Sequence, residues 1–187
     1  MTKPTRQGGM ALIEVLVAFG VFGVGVVGTF SMQVAAKRTN YDAAQQSIAT
    51  SMTRDILARI RANSDVLDAY VVDDIGAEVL PAVGDCTSIS CSNLQLAQHD
   101  IYEWSKSLSG ERERVVIDGN NIASGGLVDA RACIKNEAGI VSVTISWRSF
   151  SAAIDASTTP CGERFSGENS SDDKFSTLTM TSFVGRP

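Results

Sequence analysis

Apolar residues run almost unbroken from Gly8 to Phe30, and Glu14 is the only charge among them. About 20 apolar residues suffice to cross a bilayer as a helix, so the run is membrane-length. Beyond it the pattern changes without a Gly or Pro break. Tyr41, Ala44, Ile48, Met52, Ile56 and Ile60 recur at helical spacing, with charged and amide side chains between them, which predicts an amphipathic helix. Joined together, the two stretches predict one helix from Met10 to Ala62, roughly 80 Å long at 1.5 Å per residue. Its first half suits an apolar phase and its second half suits a sheet. Asn63 and Ser64 mark the stop. Gly20, Gly23, Gly25 and Gly28 each weaken the helical interior by about 1 kcal/mol relative to Ala. Close helix packing is the favoured use for them, ahead of local unwinding.

Residues 64–91, with Gly76, Pro81, Gly84 and many aspartates, predict a loop with little regular structure. A second helix follows. Ser92 and Gln95 form a capping box, Leu94, Ala97, Ile101, Trp104 and Leu108 form an apolar stripe, and Gly110 terminates it. From Arg114 the period becomes two, with candidate strands at 114–118, 128–134, 139–148 and 175–184. Val141, Val143, Ile145 and Trp147 fall on one face of the third. The turn at 135–139 makes a hairpin of the second and third strands, while Gly119 and Asn121 mark only a turn. The order of elements predicts an α+β fold, a long N-terminal helix packed on an antiparallel sheet.

A chain of 187 residues holds one membrane segment and one globular domain of ordinary size. Its formal charge is −5, and without residues 1–9, which carry Lys3 and Arg6, 14 basic residues face 21 acidic ones, about −7. Nucleic-acid binding wants a basic face and is disfavoured. Cys86, Cys91, Cys133 and Cys161 all follow the apolar run, an even count suited to an oxidising compartment. Three pairings exist and the sequence alone does not choose among them. The favoured one joins Cys86 to Cys91 and Cys133 to Cys161. A zinc site is disfavoured, since Cys-x4-Cys has no nearby His.

A carboxylate in hydrocarbon costs about 2.5 to 3.5 kcal/mol on insertion scales and calls for a partner or a task. Lys3 and Arg6 lie in the polar leader, and Lys37 and Arg38 lie beyond the far end of the run. A free amine created by cleavage between Gly9 and Met10, offered by another subunit, would supply the missing cation. A secretory signal peptide has the opposite order, with small residues after the apolar core. The basic leader, Gly9 at its end and Glu14 at the fifth position from Met10 resemble the processing signal of type IV prepilins and pseudopilins. That resemblance implies Gly9 before the scissile bond, Met10 as an N-methylated amino terminus in place of the usual Phe, and Glu14 as the assembly carboxylate. It implies a leader at 1–9, a transmembrane and filament-core helix at 10–36, and a periplasmic pilin head at 37–187.

Two further segments are similar to the type IV pilus modification protein, the PilV-type minor pilin. They are Asp100-Ile-Tyr-Glu-Trp-Ser-Lys-Ser-Leu108 and Val-Thr-Ile-Ser-Trp-Arg at 143–148. The implied function is a minor pilin cut by prepilin peptidase, anchored in the bacterial inner membrane and passed to the assembly platform. Other minor pilins and the major pilin would be its partners, and adhesion and twitching motility its outcome. The alternatives are a minor pseudopilin of type II secretion and a membrane-anchored periplasmic hydrolase or binding protein. For the hydrolase, His99 beside Asp100, with Ser105 or Ser107, lacks a nucleophile elbow, and a surface His is expected. Glu168, Asp172 and Asp173 lack the ligand spacing of a calcium loop and are expected to form a solvated acidic loop. No catalytic residue, metal or cofactor is expected.

Overall fold

The computed structural model describes residues 10–76, 80, 83–123, 125–150, 161 and 175–185. The first element, α1, runs without interruption over Met10–Ala62. The chain divides into two units, Met1–Tyr41 and Asp42–Pro187. In the first, the described side chains of α1 are almost all exposed, including Leu12, Phe19, Phe22 and Phe30. By length and composition the helix is able to cross a membrane.

In the second unit α1 buries Ala49, Ile56, Leu57 and Ile60. Its buried stripe is turned relative to the expected one: Tyr41 and Ala44 are exposed, while Gln45 and Thr53 are buried. Two hydrogen bonds make those polar residues tolerable. Thr53 Oγ1 donates to the Ala49 carbonyl at 2.7 Å, and Gln45 Oε1 accepts from the Val128 N–H at 3.4 Å. Burial of a hydrogen-bonded hydroxyl or amide avoids most of the desolvation penalty.

The helix ends at Asn63, as its sequence predicts. The expected loop beyond it holds two regular elements instead: a 3-10 helix, Ser64–Tyr70, and a strand, β1, Val72–Ile75. Val-Asp-Asp-Ile is a weak strand sequence, and its partner makes it one. β1 pairs antiparallel with β4, Arg131–Glu137, where Arg131 forms an ion pair with Asp74 at 3.4 Å. α2 follows over Asn93–Leu108, with both hydrogen bonds of the Ser92–Gln95 capping box present. At its end Gly110 has φ +75°, and an added Cβ would run into the Gly125 carbonyl oxygen. Leu94 was expected on the apolar stripe and is exposed; Asp100 takes a buried place on α2 instead.

β2, Arg114–Ile117, pairs with β3, Asn120–Ala123, as a separate two-stranded ribbon. Gly119 sits in the turn as expected, but Asn121 belongs to β3. The expected strand at 128–134 lies further along, at Arg131–Glu137, because residues 128 and 129 form a turn. β5, Ile140–Arg148, and β6, Phe175–Phe183, complete a four-stranded antiparallel sheet in the order β1-β4-β5-β6. A two-residue turn at Ala138 and Gly139, both at positive φ, joins β4 to β5.

Val141, Val143, Ile145 and Trp147 point to one face of β5 and join α1, Tyr70, Ile75 and α2 in the core. Thr144 and Ser146 on the other face are buried too. Their hydroxyls pair with those of Thr179 and Thr177, each at 3.0 Å. The disulfide between Cys133 and Cys161 lies beside them, with Cys161 Sγ 3.7 Å from the Thr144 carbonyl oxygen.

Candidate functional site

Within residues 10–36 of α1 the polar residues are few, and only one of them is charged. Thr29 Oγ1 donates to the Val26 carbonyl at 2.7 Å and Ser31 Oγ to the Val27 carbonyl at 3.1 Å, so both hydroxyls are satisfied inside the helix. Glu14 makes no ion pair among the described residues. A helix apolar all round belongs in a membrane or a protein core, and Glu14 is its one charge. Gly9 lies outside the described residues, and of Met10 only its place in α1 is described.

The head is organised around a second carboxylate. Asp100, buried on α2, accepts from the Tyr70 hydroxyl at 2.7 Å and from Arg59 Nη1 at 3.0 Å. Asn63 Nδ2 donates to the Tyr70 oxygen at 3.2 Å and to the Asn93 carbonyl at 2.8 Å. Trp104, one turn beyond Asp100, donates its Nε1–H to the Met52 carbonyl at 2.9 Å. The Asp-x-x-x-Trp spacing therefore ties α2 to α1 at two heights. Sequence reasoning saw the helix stop at Asn63 and the stripe residue Trp104, but not the shared network. Its members lie on three segments, and only the burial of Asp100 exposes it.

At the other end of β5, Arg148 Nε contacts Asp129 at 2.8 Å, and its backbone N–H donates to the Val128 carbonyl at 2.9 Å. The Trp147-Arg148 pair thus has two duties, one ring in the core and one ion pair at the rim.

Tyr70 yields a test by pH. Burial pushes its phenol well above the ordinary value of 10.0; the Asn63 hydrogen bond pulls it back in part, the hydrogen bond and charge of Asp100 raise it again, and the Arg59 charge opposes them. A raised folded-state value means that the folded chain holds the proton longer than the unfolded one. The contribution is therefore complete below about pH 10 and declines as pH rises from there toward the folded value. Tyr70→Phe is expected to lower stability at pH 8 by about 1 to 2 kcal/mol and to flatten its decline between pH 10 and 11. Melts of the full chain in detergent, followed by fluorescence of Trp104 and Trp147, check this; identical slopes in both proteins would remove Tyr70 from the account.

The hydrolase constellation is not assembled. Ser105 Oγ donates to the Tyr102 carbonyl at 2.7 Å and Ser107 Oγ to the Glu103 carbonyl at 3.1 Å. Asp100 faces Tyr70 and Arg59 rather than His99. His99 is half-buried rather than a plain surface residue, and its Nδ1 is buried with no hydrogen-bond partner among the described residues. Among the described residues no group of three His, Cys, Asp or Glu could hold a metal ion. Glu168, Asp172 and Asp173 lie outside the described residues. The cysteines pair as Cys86–Cys91 and Cys133–Cys161. Asp85 shapes the small loop, its Oδ1 accepting from the Thr87 N–H at 2.9 Å and the Thr87 hydroxyl at 2.6 Å.

Residues 4–30 match the prokaryotic N-terminal methylation motif, and residues 31–102 match the family described as type IV pilin Tt1218, Tt1218-like. Together the two matches support a type IV prepilin-like protein. The pilin match runs from the end of the apolar segment through the rest of α1, the 3-10 helix and β1 into α2, ending two residues past Asp100. No curated protein and no solved structure matches this prepilin-like chain. A long N-terminal helix packed on an antiparallel sheet is the type IV pilin-like α+β fold. The motif and the apolar helix fit a membrane-anchored pilin that is processed by prepilin peptidase and incorporated into pili.

Proposed function

We propose that this prepilin-like protein is a minor pilin of the PilV type that promotes pilus assembly and so supports adhesion and twitching. In this reading prepilin peptidase cuts between Gly9 and Met10 and the new Met10 amine is methylated. Residues 10–36 hold the chain in the inner membrane, with the amino terminus cytoplasmic before processing and the head at 37–187 periplasmic. The chain then joins other minor pilins and the major pilin through the assembly platform.

The observation that carries the reading is Glu14, the sole charge of an exposed apolar helix inside a methylation motif. The two PilV-like segments support the finer assignment: Asp100 and Trp104 tie the two helices together, and Trp147-Arg148 closes the long central strand.

Mass spectrometry of protein from membranes is expected to find Met10 as the first residue, carrying a methyl group. An intact leader in cells with an active peptidase would contradict the processing step. Deleting the gene is expected to reduce surface pili and twitching while the major pilin stays in the membrane. Rescue by a head lacking residues 10–36 would point instead to a periplasmic enzyme or binding protein. Normal piliation with a secretion defect would point to a pseudopilin.

A further inference from the structure

The β2–β3 ribbon is an anomaly in a head whose other strands share one sheet. A lone two-stranded hairpin is marginal in water, and an apolar strand with an open edge invites pairing with another chain. β2 has such an edge. Val115, Val116 and Ile117 are consecutive, and they are 47%, 66% and 52% exposed, so apolar side chains emerge on both faces of the strand.

The hairpin geometry says which backbone groups are open. Ile117 pairs with Asn120 across the two-residue turn at Asp118 and Gly119, both at positive φ. The pair that flanks such a turn exchanges hydrogen bonds, and the pattern alternates along an antiparallel ladder. Ile117 and Val115 therefore direct their N–H and C=O groups to β3. Arg114 and Val116 direct theirs to the outer edge, which no other strand occupies among the described residues.

The flanking charges select a partner. Arg114 and Asp118 lie two residues to either side of Val116. When two copies of β2 align antiparallel about Val116, Val116 meets its own counterpart in a hydrogen-bonded pair. Val115 then meets Ile117, and Arg114 comes beside the turn residue Asp118 of the other copy, each twice. A parallel alignment sets Arg114 against Arg114, and an antiparallel slip by two residues separates Arg114 from Asp118. The centred register satisfies backbone, apolar and charged groups together, and opposite charges facing across strands are favourable. Arg114 is exposed, and its Nε donates to the Glu111 carbonyl at 3.2 Å.

We propose that β2 is a homotypic docking edge, at which two copies of this chain join their ribbons into a continuous four-stranded sheet, β3-β2-β2-β3, about a twofold axis at Val116. The interface is isologous, so it closes at two copies. Joining also removes the instability of each ribbon, since three or more strands are what independent sheets need. A contact built on one short strand is small and weak by the standard of stable dimers, and cross-linking is the suitable readout.

The test uses the full-length chain in detergent micelles. Hydrogen-bonded antiparallel partners sit about 5.5 Å apart at Cα, within disulfide range. Oxidised Val116→Cys is expected to form a covalent dimer. Val115→Cys alone, whose counterpart lies two positions away, is expected to form at least about fivefold less, while a mixture of Val115→Cys and Ile117→Cys forms the mixed dimer. In the Val116→Cys background, Arg114→Asp is expected to lower dimer yield about fivefold or more, and adding Asp118→Arg to restore it. Monomer throughout, equal yields from positions 115 and 116, or indifference to Arg114→Asp would each overturn the proposal. So would a Val116→Cys adduct formed in cells with a different pilin rather than a second copy.

Discussion

Glu14→Gln is expected to leave leader cleavage and membrane insertion intact and to reduce incorporation into pili by orders of magnitude. The change keeps the shape of the side chain and removes its charge. In the proposed reading leader recognition depends on Gly9, and insertion depends on the apolar residues around position 14, which the substitution makes no more polar. In that reading, what disappears is the pairing of that carboxylate with an amine of another subunit in a low-dielectric filament core. Removing one member of a buried pair typically costs about 3 to 5 kcal/mol, which is a factor of more than a hundred in association. Quantifying the protein in sheared pili against that in membranes checks the result. Equal ratios for Glu14→Gln and the unaltered protein would show that the carboxylate has no part in assembly.

The second large effect concerns the head. Cys133 and Cys161 close a loop of sequence separation 28, while Cys86 and Cys91 close one of 5. If the bridges act through the entropy of the unfolded chain, removing the first pair costs about 3 to 4 kcal/mol and removing the second about 2. Cys133 and Cys161 are also both buried. Replacing both by Ala is therefore expected to shift the denaturant midpoint of the full chain in detergent markedly, and more than replacing Cys86 and Cys91. Trp104 and Trp147 are in the core and report the transition. A larger effect from the small loop would reverse this ranking of the two bridges.

The most legible parts of the chain are those in which one segment carries its own instructions. α1 is continuous because no Gly or Pro break separates its apolar run from its periodic stripe, α2 begins where Ser92 and Gln95 cap it, and β5 alternates cleanly from Val141 to Trp147. The Gly9, Met10 and Glu14 pattern is local in the same sense. What was not legible depends on a partner. Val72–Ile75 is acidic and short, and it is a strand because β4 lies beside it and Arg131 neutralises Asp74. Gln45 and Thr53 occupy buried places that the apolar pattern assigned to Tyr41 and Ala44. In the sequence Asp100 stands only in the PilV-like segment and beside His99, and its role appears only when Tyr70 and Arg59, 30 and 41 positions away, converge on it. β3, with the sequence Asn-Asn-Ile-Ala, has no strand signal beyond the turn that folds it back on β2.

The ties between α1 and the rest of the head also have a mechanical meaning. Under the proposed role in a pilus that retracts, a pull on the subunit would act in the head on the part of α1 that starts at Asp42. Asp42 holds Ser149 Oγ at 2.9 Å and the Phe150 N–H at 3.0 Å. Further along come the Gln45 bond to Val128, the Trp104 bond to Met52, the Arg59 bond to Asp100, and Arg61 Nη2 to Ser182 Oγ at 2.8 Å. A helix fastened at one end peels away bond by bond. Fastened at intervals from residue 42 to residue 61, it is loaded in shear, and several bonds must fail together before it slides. Resistance to force follows the unfolding rate rather than equilibrium stability, so this spacing favours a head that outlasts a brief pull.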